Sequence, residues 1–167
     1  MRVFLVGFMG AGKSSVGRAL ARQAQTLFVD LDERLEAVFG ARVAEIFAAH
    51  GEAAFRAEES RQLARCGRFA NVVVATGGGT FVSEVNRATI RRLGVSVHLE
   101  VSWGEVLRRL PGKRAERPLF SSPEQAHRLY LERLPAYRQA DVSVRAHEGE
   151  TPELLAARIA LLLRGGA

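Results

Sequence analysis

Gly7-Phe8-Met9-Gly10-Ala11-Gly12-Lys13-Ser14 fits the pattern G-x-x-x-x-G-K-S/T, and the residues on either side of it decide the fold. Before it, Arg2-Val3-Phe4-Leu5-Val6 is a short apolar run of the kind that forms a strand buried on both faces. After it, Lys13 to about Gln25 carries apolar residues at helical spacing. In a strand–loop–helix setting, glycines let consecutive backbone N–H groups turn around a polyphosphate, and the helix adds the positive end of its dipole. Lys13 then reaches the β/γ-phosphates, and Ser14 offers a hydroxyl to Mg²⁺.

Outward from this loop, strands and helices alternate. Short apolar strands are expected at 27–29, 72–75, 95–99 and 142–144. Between them lie helical stretches at about 32–39, 43–50, 52–66, 83–93, 103–110, 123–134 and 152–163, with Ser83, Pro123 and Pro152 marking helix starts. Five strands separated by helices imply an α/β fold in three layers, a parallel sheet covered on both faces. Ligands of such sheets bind beyond the carboxyl ends of the strands, so the residues directly after each strand carry the information.

The chain has 167 residues, enough for one domain (1–167) with a sizeable core. Its 47% hydrophobic and 25% charged residues suit a globular protein, and no apolar run reaches the roughly 20 residues of a membrane span. A single cysteine, Cys66, rules out an internal disulfide framework and agrees with a cytoplasmic location. The four histidines, His50, His98, His127 and His147, show no metal-ligand spacing, and Trp103 is expected to pack rather than stack on a ligand. The net charge of +6 is uneven: Arg108, Arg109, Lys113, Arg114 and Arg117 face only Glu116 within 108–117. Lysine occurs only at positions 13 and 113, and aspartate only at 30, 32 and 141, in a chain that otherwise uses Arg and Glu. A lysine, or a close aspartate pair, therefore marks a place where a compact ammonium or a short carboxylate is needed.

The guanine-reading Asn-Lys-x-Asp motif is missing, and the chain is too short for a motor or transporter ATPase, which leaves a small-molecule kinase. Asp30 and Asp32 follow the second strand at i and i+2. If the chain is still extended there, both point to the phosphate side, one holding the metal's water shell and the other the acceptor hydroxyl. Asp32 could instead cap the next helix, or cap and bind at once. Arg56 and Glu59 share a helix face, which as an exposed pair would be worth little. Gly77-Gly78-Gly79 permits close approach of backbone to a ligand or merely ends a strand.

Taken together, the loop at 7–14, Asp30-x-Asp32, Gly51-Glu52 with Phe55-Arg56 and Glu59, Ala75-Thr76-Gly77-Gly78-Gly79, Arg117-Pro118-Leu119 and Pro135-Ala136-Tyr137-Arg138 resemble the shikimate kinases in order and spacing. The resemblance implies ATP- and Mg²⁺-dependent phosphorylation of the 3-hydroxyl of shikimate on a nucleoside-monophosphate-kinase-like fold. Its sheet order is 2-3-1-4-5, residues 31–66 form a substrate-binding subdomain, and 109–122 form a mobile lid. It implies that Gly10, Ala11, Gly12, Lys13, Ser14, Ser15, Arg109 and Arg117 serve the nucleotide, and Ser14 and Asp30 the metal. Asp32, Arg56, Gly78, Gly79 and Arg138 would bind shikimate, with Arg56 and Arg138 clamping its carboxylate. Lys13, Asp32 and Arg117 would be catalytic, in a monomer with neither nucleic-acid nor membrane partner. Arg109 and the 146–152 loop are the candidates for adenine. Two readings compete: a kinase of another polyhydroxy acid such as gluconate, and an ATP-binding module that uses the basic loop on nucleic acid.

Overall fold

A computed structural model describes residues 1–109, 122–147 and 149–165. The elements run β1 (Arg2–Val6), α1 (Lys13–Gln23), β2 (Leu27–Asp30), α2 (Leu31–Phe39), α3 (Val43–Arg65), β3 (Val72–Ala75), α4 (Glu84–Leu93), β4 (Val95–Glu100), α5 (Trp103–Arg109), α6 (Pro123–Tyr137), β5 (Val142–Arg145) and α7 (Pro152–Gly165). The strands form one parallel sheet in the order β2-β3-β1-β4-β5, as the resemblance implied.

Alternation along β1 divides the core in two. Phe4 and Val6 face a layer built with Leu31, Leu63, Ile90, Val106 and Tyr137 from α2 to α6. Val3 and Leu5 face the opposite layer, with Val16 and Leu20 of α1 and Ile159 of α7. These side chains are almost completely buried, and each stabilises the fold by roughly 1.5–3 kcal/mol relative to exposure. A separate small cluster, Leu35, Ile46 and Phe55, joins α2 to α3. Among the described residues, no helix is long and apolar enough to cross a membrane.

The structure corrects three expected boundaries. The two helices expected at 43–50 and 52–66 are continuous except at Gly51, whose φ of 78° and ψ of 165° break the helix. Helix α6 does not stop at Leu134. Pro135 sits in its last turn, where a missing N–H costs one bond, and Arg138 N–H still reaches the Leu134 carbonyl. Strand β2 continues through Asp30 and helix α2 begins at Leu31, so the extended stretch does not include Asp32. Trp103 packs against His127 and Tyr130, and Cys66 is a buried thiol.

Candidate active site

The phosphate loop joins the carboxyl end of β1 to α1. Gly7, Gly10 and Gly12 have φ of 139°, 76° and 91°, and a Cβ at Gly7 would lie 2.7 Å from the Leu99 carbonyl oxygen. Gly12 is the N-cap of α1 and supplies no side-chain cap, so the positive end of the helix opens toward the loop without a competing hydroxyl or carboxylate. This opening fits a phosphate. Lys13 Nζ donates to the carbonyls of Gly7 (2.8 Å) and Phe8 (2.9 Å) and so lies over its own loop. Arg109, from α5, donates to the Gly10 carbonyl at 2.6 Å and pairs with Glu105 at 3.3 Å. Arg117 lies outside the described residues, as does most of the expected lid at 109–122.

Ser14 Oγ donates to Asp30 Oδ2 at 2.6 Å. This hydroxyl and carboxylate, side by side below the loop, are the oxygen donor set that suits Mg²⁺, which keeps several waters and takes one or two protein ligands. Asp30 Oδ1 accepts from the N–H of Asp32 at 3.0 Å, which makes Asp30 the N-cap of α2. The cap is thus the first aspartate of the pair, and Asp32 is a first-turn residue of the helix.

Asp32 nonetheless reaches the site, because three successive glycines let side chains from three helices close on one strip of backbone. A Cβ at Gly77 would lie 2.9 Å from Asp32 Oδ1 and 2.8 Å from Glu59 Oε1. At Gly78 it would lie 3.2 Å from Arg133 Nη1, and at Gly79 2.5 Å from Arg56 Nη2. Thr76 anchors the strip by donating from both its N–H and its hydroxyl to the Leu5 carbonyl of the central strand. Asp32 and two guanidinium groups therefore converge beside the phosphate loop on backbone that has no side chains of its own.

The Arg56–Glu59 pair departs from the expected exposed pair. Glu59 is fully buried; its Oε2 accepts from Arg56 Nη1 at 2.9 Å and its Oε1 from the Thr80 hydroxyl at 2.7 Å. Burial would lower the Arg56 pKa, but the Glu59 and Glu52 carboxylates outweigh burial and hold it above its ordinary value.

Helix α6 brings a second arginine, Arg133, to the glycine strip. Arg138 is exposed at the C-cap of α6, whereas Arg133, one turn earlier, is buried and faces Gly78. The signal for Arg133 was an arginine within the apolar rhythm 126, 130, 133, 137, a stripe whose other members, Ala126, Tyr130 and Tyr137, pack in the core. A buried arginine on such a stripe needs an anionic or acceptor partner across the cleft.

Known proteins resemble the chain along most of its length. The family model "Shikimate kinase" matches residues 9–164. The shikimate kinase of Cereibacter sphaeroides is 45% identical over 160 residues, covering 94% of this chain and 79% of that protein. A solved shikimate kinase from Acinetobacter baumannii in complex with shikimate superposes with a TM-score of 0.91 at 34% identity, covering 99% of this chain and 93% of that one. A gluconokinase from Sinorhizobium meliloti, with a TM-score of 0.56 at 20% identity over 99% of this chain and 97% of that one, shares the fold.

Proposed function

The chain belongs to the shikimate kinase family, and from that premise we propose how its own residues divide the transfer of phosphate from ATP to the 3-hydroxyl of shikimate. The observation that carries the assignment is the convergence of Asp32, Arg56 and Arg133 on the Gly77–Gly79 strip beside the phosphate loop. Shikimate offers one carboxylate and three hydroxyls, which calls for planar guanidinium donors and a carboxylate acceptor.

Arg56, held by Glu59, and Arg133 receive the shikimate carboxylate; Arg133 takes the role first read onto Arg138. The backbone of Gly78 and Gly79 lies against the ring. Asp32 accepts a hydrogen bond from the 3-hydroxyl, aligns it with the γ-phosphate and takes its proton as the new bond forms. Backbone amides from Gly10 to Ser15 cradle the nucleotide phosphates, and Lys13 leaves the Gly7 and Phe8 carbonyls to bond them. Ser14 and Asp30 would hold Mg²⁺ directly or through water, and the bound ion would supply positive charge against the phosphates. Arg109 flanks the nucleotide, and Arg117 in the 109–122 lid adds positive charge while the lid excludes water.

The small Leu35–Ile46–Phe55 cluster supports reading 31–66 as a substrate-binding subdomain. The reading also places single copies of the chain in the cytoplasm with no nucleic-acid or membrane partner; the buried free thiol of Cys66 suits a reducing compartment, and size-exclusion chromatography tests the monomer. A coupled ADP-release assay with shikimate, gluconate and nucleoside monophosphates side by side tests the acceptor. Turnover confined to shikimate supports the assignment, and comparable turnover of gluconate overturns it.

A further inference from the structure

Tyr137 is 1% exposed, and its hydroxyl donates to the Gly78 carbonyl at 2.5 Å. The Arg133 side chain, four residues earlier on the same face of α6, lies against the same glycine, with its Nη1 3.2 Å from where a Gly78 Cβ would be, and its charge acts on the Tyr137 hydroxyl. One hydroxyl thus ties down the glycine strip with its proton and stands beside the guanidinium. The ring stacks on His98 with centroids 5.3 Å apart and an interplanar angle of 27°, and the His98 ring backs Gly7 at the start of the phosphate loop. Tyr137 is therefore fixed by the wall between the nucleotide and acceptor halves, and its hydroxyl has little freedom to wander. Burial, partly opposed by the Arg133 and Arg56 charges, pushes its pKa up to about 12, so it remains a donor throughout the working pH range.

We propose that Tyr137 is a positioning residue for the acceptor, holding the Arg133 guanidinium and the Gly78 carbonyl at a fixed spacing so that the shikimate carboxylate meets a preorganised arm. A long arginine side chain left to itself loses rotamer freedom when it binds; one already tethered has lost it on folding. The tether uses one edge of the fork and leaves other N–H groups for the carboxylate. The inference rests on the assignment of Arg133 to carboxylate binding, and the following experiment separates the two.

Steady-state kinetics are measured for Tyr137→Phe, Arg133→Met and the double variant, with thermal unfolding of each. Removing the hydroxyl that holds Gly78 and faces the guanidinium should raise the shikimate KM of Tyr137→Phe about 10-fold. Its kcat and ATP KM should stay within about 2-fold, because the aromatic stack is retained. Arg133→Met should raise the shikimate KM further, and adding Tyr137→Phe to it should cost no more than about 3-fold, because the hydroxyl then has no arm to hold. A full 10-fold loss in both backgrounds would mean that Tyr137 acts without Arg133 and overturns the inference, as would a lowered unfolding temperature with unchanged KM. If Arg133→Met leaves the shikimate KM unaltered, the carboxylate assignment itself fails, and the inference with it.

Discussion

Ser14 Oγ and Asp30 Oδ2 lie 2.6 Å apart, and the other oxygen of that carboxylate closes the first turn of α2. In the proposed division of labour, Asp30 serves the metal and the cap at once, and Asp32 serves the acceptor. Asp30→Asn keeps an oxygen for the cap but loses the charge, so the Mg²⁺ concentration for half-maximal rate should rise while the unfolding temperature changes little. Asp30→Ala should in addition cost about 1 kcal/mol of stability.

Asp32→Asn should retain nucleotide affinity and thermal stability, since position 32 is not the cap, and lose on the order of 10²-fold in kcat. Calorimetry beside single-turnover kinetics checks this. Unfolding at a clearly lower temperature with full turnover per folded molecule would return Asp32 to a purely structural role.

Lys13 bonds carbonyls of its own loop. Lys13→Ala should therefore fold normally while kcat falls by about 10²-fold or more. Near-normal turnover in the folded variant would contradict the phosphate-binding role.

Gly79 has an ordinary φ of −96°, so alanine there meets no backbone strain. Its Cβ would, however, fall 2.5 to 2.7 Å from the Arg56 guanidinium. Gly79→Ala should raise the shikimate KM by about 10-fold with ATP KM unchanged, because displacing a carboxylate arm removes uniform binding. Unaltered shikimate KM would place Arg56 outside the acceptor site.

Burial pushes the His98 imidazole down to about 4; Lys13 and Arg138 add to this and Glu100 opposes it. The folded state thus binds its proton less readily than the unfolded chain, whose histidine titrates near 6.5. The stability that His98 contributes is complete above about pH 6.5 and is lost as pH falls toward 4, by up to about 3 kcal/mol. His98→Phe, which keeps a stacked ring, should flatten the unfolding temperature across that window. An equal acid slope in both proteins would assign the loss to other groups.

The phosphate loop was legible because its glycine spacing is a requirement of the backbone itself and needs no partner from elsewhere in the chain. The division of labour between Asp30 and Asp32 was only half legible. Whether the strand stops at 29 or 30 is a one-residue question, settled by which carboxylate reaches the N–H of Asp32. Arg56 and Glu59 were visible as neighbours on a helix, but the burial of Glu59 depends on Thr80 arriving from beyond β3. Helix phase alone does not separate Arg133 from Arg138, because it does not say what lies opposite, and Gly78 enters only through the tertiary fold.

Strand β1 sits at the centre of the sheet, flanked by β3 and β4, both of which follow it in the chain. A ribosome therefore delivers the apolar central strand and its nucleotide-binding loop well before either neighbour exists to receive them. At about 5–20 residues per second, the roughly 70 residues from β1 to the end of Val72–Ala75 take about four to fourteen seconds, during which β1 has no β-partner. The part of the molecule that carries the phosphate chemistry is thus the part most in need of chaperone protection during synthesis.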